Sequence, residues 1–170
     1  LIALLATMYT MRQSRDDSYE RQNSIMQYQI KHLDNGFNQV NYYMASALAT
    51  DENVRKLQTT NRRTILAPYW VNESLNQFTS LQNLVNAGYS FYISVPKLQL
   101  NRTTQESYDE NCAVENFLSE NLNSFPPVGI STIFRQIGGK TYCLSLGQSR
   151  GVYLAGWIRL DNLFSFMDSV

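Results

Sequence analysis

The chain has 170 residues, with 14 basic against 14 acidic, 44% hydrophobic, 12% aromatic and 16% charged. That length suits one domain with its own core, and zero net charge supplies no field to draw the chain onto nucleic acid or an anionic membrane surface. One His and two Cys without ligand spacing leave no basis for a structural metal or a cofactor, while a surface made polar by amides and hydroxyls rather than by charge suits an extracytoplasmic domain.

Residues 1–11 are apolar apart from Thr7 and Thr10, and the chain turns abruptly polar at Arg12. A bilayer needs about 20 apolar residues, so this segment is read as the outer end of a transmembrane helix. The competing readings are a short core segment or part of a signal peptide. From Tyr19 a heptad pattern runs through Asn23, Met26, Ile30, Leu33, Phe37, Val40, Met44 and Ala47 in alternating steps of four and three. That spacing predicts one long amphipathic helix. Its upper part, near Phe37 and Met44, is expected to pack on the domain, and its lower part, Tyr19 to Ile30, to pair with a second subunit, with Asn23 fixing register. Residues 12–58 are thus the long helix plus a short one capped by Thr50 or Asp51 and carrying Val54 and Leu57. The remainder, 59–170, forms the core of the domain.

A polar linker over 59–64 precedes another helix that starts near Pro68. Its face is Val71, Leu75, Phe78, Leu81 or Gln82, and Val85, and Gly88 ends it. The apolar period then changes to two, with Phe91, Ile93 and Val95 opposite Tyr92 and Ser94, and Pro96 turns the chain into a short strand over 98–100. A loop over 101–109, a helix over 110–123 and a stop at Pro126-Pro127 follow. Three strands close the chain, over 130–137, 140–147 and 152–160, separated by Gly138-Gly139 and by 148–151. The fold class expected is α+β, a long N-terminal helix packed on an antiparallel sheet of about five strands.

The layout resembles the Cache branch of PAS-like extracytoplasmic sensor domains. Three passages carry the resemblance. Ile30-Lys31-His32-Leu33-Asp34 through Leu48-Ala49-Thr50-Asp51-Glu52-Asn53-Val54 is similar to the family's signalling helix and the turn after it. Gly88-Tyr89-Ser90-Phe91-Tyr92-Ile93-Ser94-Val95-Pro96 is similar to its first strand, and Gly151 through Leu163 to its last strand and exit. The resemblance implies a single PAS-like module serving as the input domain of a membrane-bound sensor histidine kinase, with no enzymatic activity in this segment. A chemoreceptor or a membrane-bound transcription regulator carries the same kind of input domain, and a ligand-free protein-interaction module is the alternative from another class. The implied partners are a small-molecule ligand, a second copy joined through the N-terminal helix, and the membrane through flanking segments, with no nucleic acid.

A register argument independent of the family locates a candidate pocket. A two-residue turn at Gly138-Gly139 sets Arg135 opposite Tyr142, and counting back from Ser149-Arg150 sets Tyr142 opposite Trp157. Ile133, Leu144, Tyr153, Ala155 and Arg159 share that sheet face. The other face carries Phe134, Cys143, Ser145, Leu154, Gly156 and Ile158, and is expected to lie under the long helix, with Gly156 permitting close approach. Arg135, Tyr142, Trp157 and Tyr153 are therefore the candidate ligand-binding residues. Arg135 would hold an anionic group, Tyr142 would add a hydroxyl and Trp157 a flat wall, all under the loop and helix of 101–123. The structural alternative is that Arg135 merely lies across its aromatic neighbours. His32 has no accompanying nucleophile, and adjacent Asp109 and Glu110 suit a helix N-terminus better than acid-base chemistry. Cys112 and Cys143 are expected as two buried reduced thiols.

Overall fold

The structure, a computed structural model, describes residues 2–61, 64–85, 88–104 and 108–161. The end of the expected exit, Asn162-Leu163, linker positions 62–63 and loop positions 105–107 lie outside the described residues, as do the side chains of residues 1–14, His32, Leu33, Leu81, Gln82, Val85, Asp109 and Glu110. Leu1–Asn38 and Gln39–Val170 are two compact units.

Helix α1 is Ile2–Thr50. In the first unit its described side chains are mostly exposed, among them Tyr19, Ile25, Met26, Tyr28 and Ile30, with Gly36 and Phe37 half-buried. Asn38 Nδ2 donates to Asp34 Oδ2 at 3.4 Å, one turn back. Among the described residues, no helix is long and apolar enough to cross a membrane.

In the second unit the last turns of α1 bury Val40, Met44 and Leu48. The heptad reading named Ala47 where the structure buries Leu48. A helix lying on a sheet keeps its own 3.6-residue period, so steps of four continue where a supercoiled seam would alternate with three. Asp51 then caps α2, Glu52–Thr59, its Oδ1 accepting from Val54 N–H at 2.8 Å and from the buried Ser74 hydroxyl at 3.1 Å. Helix α3, Ala67–Val85, has Pro68 in its first turn and buries Val71, Leu75 and Phe78. Phe78 stacks on Phe91 with ring centroids 4.8 Å apart.

Strand β1, Ser90–Val95, is buried along its whole length. Pro96–Leu98 forms a 3-10 turn and Gln99 takes a left-handed φ of 54°, so β2 is Leu100–Thr103 rather than 98–100. Proline fixes φ at the start of the turn, and three residues are used before the chain can return. Helix α4 is Tyr108–Glu120, two residues earlier than expected, and Leu122–Ser124 is a further 3-10 turn. Strands β3, Ile130–Ile137, β4, Lys140–Ser149, and β5, Val152–Arg159, complete the chain.

The five strands form one antiparallel sheet in the order β2-β1-β5-β4-β3, giving the α+β fold expected. One face meets α1 and α3. A Cβ added at Gly156 would lie 3.0 Å from Phe91 Cε1 and 3.3 Å from Met44 Sδ, which is the close approach expected of that glycine. Phe134, expected beneath the helix on this face, is instead 56% exposed, because β3 is the edge strand. The opposite face is covered by α4, through Val114 and Leu118. Each fully buried Leu, Ile or Phe stabilises such a core by about 1.5–3 kcal/mol.

Candidate functional site

The face under α4 is where the candidate residues fall, and its register settles how they meet. Gly138 and Gly139, with φ of 57° and 78°, form the two-residue turn, and Arg135 lies opposite Tyr142 as expected. The second turn is Arg150-Gly151, with φ of 47° and 78°, and Ser149 pairs with Val152. The count from Ser149-Arg150 was therefore two residues out. Tyr142 faces Arg159, and Trp157 faces Leu144, so the expected row Arg135–Tyr142–Trp157 is corrected to Arg135–Tyr142–Arg159. An even-numbered slip keeps every side chain on its face, which is why the assignment of faces survives the error.

Tyr142 and Trp157 are 4% and 3% exposed, and both belong to the core cluster that Val114, Leu118, Phe125, Leu144 and Leu146 complete. Trp157 is thus a wall of a packed layer. Tyr153 is half-buried at the margin, its ring edge-on to Phe125 with centroids 5.4 Å apart. Arg135 is exposed, and its Nη1 donates to the carbonyl of neighbouring Phe134 at 3.1 Å. The guanidinium that acts on Tyr142 is Arg159. Burial pushes the Tyr142 pKa up, Arg159 draws it back down and Asp161 adds to the rise. Arg159 Nε lies 3.5 Å from Asp161 Oδ2. Of the four candidates, the structure brings Tyr142 and Trp157 into one cluster, sets Tyr153 at its rim and leaves Arg135 in solvent.

A residue missing from the candidates has the least usual environment. Tyr92 lies between Thr103 of β2 and Ala155 of β5, at 0% exposure, and among the described residues its hydroxyl meets no partner in full hydrogen-bond geometry. Burial raises its pKa, weak hydrogen bonding with the side chains of Ser94 and Asn101 offsets part of that rise, and Glu115 on α4 adds to it. These groups gather polar atoms at one end of an otherwise apolar layer. An unpaired buried hydroxyl costs about 1–3 kcal/mol and asks for a partner. The alternation over 91–95 sets Tyr92 opposite Phe91 and Ile93, and the pairing of β1 with β5 puts it on this face.

A concavity lies at the rim of the sheet's other face. It is a cleft of about 300 Å³ lined by Ala45, Leu48 and Ala49 of α1, by Pro127, Val128 and Gly129, and by Gln148 and Ser149. It carries no charged side chain and has little to orient a polar ligand. Cys112 is exposed rather than buried as expected, because it lies on the side of α4 away from Val114 and Leu118. Cys143 is buried and also free, and burial pushes its thiol up to about 11. Among the described residues, no group of three His, Cys, Asp or Glu side chains could hold a metal ion. Comparison with family models, with curated proteins and with solved structures finds no match to this chain.

Proposed function

We propose that this chain is the ligand-sensing input domain of a membrane-bound sensor histidine kinase, a single module of the Cache branch of PAS-like domains displayed outside the cytoplasmic membrane. Two features support the family reading. The order of elements on which the resemblance rests is the order in the fold, and the long helix and α4 cover opposite faces of a five-stranded antiparallel sheet.

The observation that carries the ligand reading is the Tyr92 hydroxyl, buried and facing α4, which meets no partner in full hydrogen-bond geometry among the described residues and has only the side chains of Ser94 and Asn101 to bond with weakly. A layer that served packing alone would gain by having Phe there. The ligand is then a small molecule with an acceptor oxygen for Tyr92, placed near Ser94 and Asn101. In this mechanism it draws α4 toward the sheet, and the sheet passes the change to α1 across the Met44–Gly156 contact. Its effect is limited to its differential affinity for the two packings. The exposed seam of Tyr19, Met26 and Ile30 would carry the change to a second copy. A thermal-shift screen of amino acids, carboxylic acids and amides tests the reading. At least one compound should raise the melting temperature in a saturable way, and a screen without such a compound counts against it.

The second reading, a protein-interaction module of the same fold without a ligand, is favoured by a different observation. Tyr142 and Trp157 are already packed within the core cluster, so that part of the face has its apolar partners. A chemoreceptor or a membrane-bound transcription regulator would use the domain just as a kinase would.

A further inference from the structure

The two edges of the sheet differ in a way that the ligand reading does not use. Strand β2 is four residues long and carries Arg102, a short charged edge of the kind that resists pairing. Strand β3 is eight residues long, with Arg135 as its one charged side chain, and it contains neither Lys nor Pro. Because Ile137 and Lys140 close a two-residue turn, they form a hydrogen-bonded pair, and so do 135 with 142, 133 with 144 and 131 with 146. The backbone groups of Ile130, Thr132, Phe134 and Gln136 consequently point away from β4. Among the described residues, the one bond made to them is that of Arg135 Nη1 to the Phe134 carbonyl. The last turns of α1 meet the face of this strand, Asn41 Nδ2 donating to Thr132 Oγ1 at 3.0 Å.

We propose that β3 is a docking edge for the β3 strand of a second copy of this chain, paired antiparallel about a two-fold axis at Ile133. In that register Thr132 lies opposite the second copy's Phe134 and Ile130 opposite its Gln136, so all four outward residues of each strand exchange backbone hydrogen bonds. The strand is complementary to itself. Phe134, exposed in the single chain, covers the second copy's Thr132, an aromatic paired with a β-branched side chain. Arg135 lies opposite Ser131 and not its own counterpart, so the one charge meets no like charge. The zero net charge of the chain adds no repulsion between copies. Arg135 acts as a removable guard, since its guanidinium has to leave the Phe134 carbonyl before the strands can pair.

Residue-resolved amide hydrogen exchange on the full chain, at low and at high protein concentration, tests the proposal. The outward amides of Ile130, Thr132, Phe134 and Gln136 should exchange about tenfold or more slowly at high concentration. The amides of Ser131, Ile133 and Arg135, bonded to β4 throughout, should not change and serve as the control. Phe134→Lys and Gln136→Pro should each remove the concentration dependence, and Arg135→Ala should strengthen it. Outward amides that exchange at one rate at both concentrations, whether fast or slow, overturn the proposal. The result is independent of whether any ligand binds near Tyr92.

Discussion

Tyr92 and Asp51 show opposite treatments of a buried polar group. Asp51 accepts from both the Val54 N–H and the Ser74 hydroxyl, at 2.8 and 3.1 Å. Asp51→Ala removes a cap and strands a buried hydroxyl, and should destabilise the domain by about 2 kcal/mol in chemical denaturation. The Tyr92 hydroxyl has no partner in such good geometry among the described residues, only the weaker hydrogen bonding of Ser94 and Asn101. Tyr92→Phe should therefore leave the ligand-free domain as stable or more stable by about 1 kcal/mol, and a marked loss of stability would show that the hydroxyl is satisfied in solution. Cys143 supplies a pH dependence. Burial raises its folded pKa from the ordinary 9.0 to about 11, so the fold favours the neutral thiol. That stabilisation is fully present below pH 9 and is lost as the pH rises toward 11, amounting to about 2–3 kcal/mol at most. Cys143→Ala should flatten the decline of the melting temperature between those pH values, relative to its own value at neutral pH. A thiol reagent should label exposed Cys112 readily and Cys143 only on unfolding.

At the scale of elements, the contact of α1 with the sheet is the joint on which signalling would depend. Gly156→Ala forces a methyl to 3.0 Å from Phe91 Cε1 and 3.3 Å from Met44 Sδ, and should cost about 1–3 kcal/mol. If the joint transmits, the same substitution also changes the response to ligand. Much of this level is legible in the sequence, because the period of the apolar residues changes from helical to alternating after Gly88 and glycine pairs or prolines mark the boundaries. The order of elements, a cap at Thr50 or Asp51, the Gly138-Gly139 turn and the assignment of faces all follow from such local signals. What is not legible depends on conformations that residue type does not announce. Arg150 takes a left-handed φ with only Gly151 beside it as a cue, so the β4–β5 register is read two residues out. Gln99 does the same after Pro96 and delays β2. The exposure of Arg135 and Phe134 is a property of sheet order, which places β3 at an edge, and strand pattern carries no information on order. Tyr92 is set apart by the β1–β5 pairing that puts it under α4 and by the poor hydrogen-bond geometry of its hydroxyl, both facts of three dimensions.

For the whole molecule, the proposed function would make the buried polar end of one sheet face, the sheet itself and the last turns of α1 on the other face parts of one two-state device. It predicts that ligand alters pairing at the exposed seam. Cysteines introduced at Asn23 or Met26 should cross-link between copies at different rates with and without ligand, and equal rates would leave the domain a binder that does not signal through this helix. The most direct test of the central claim compares the ligand-induced rise in melting temperature of the natural chain with that of Tyr92→Phe, using the strongest compound from the screen. The account predicts that losing this one hydroxyl removes most of the rise while the ligand-free melting temperature holds or increases. A rise of equal size in both proteins would contradict it, and would move the site away from Tyr92.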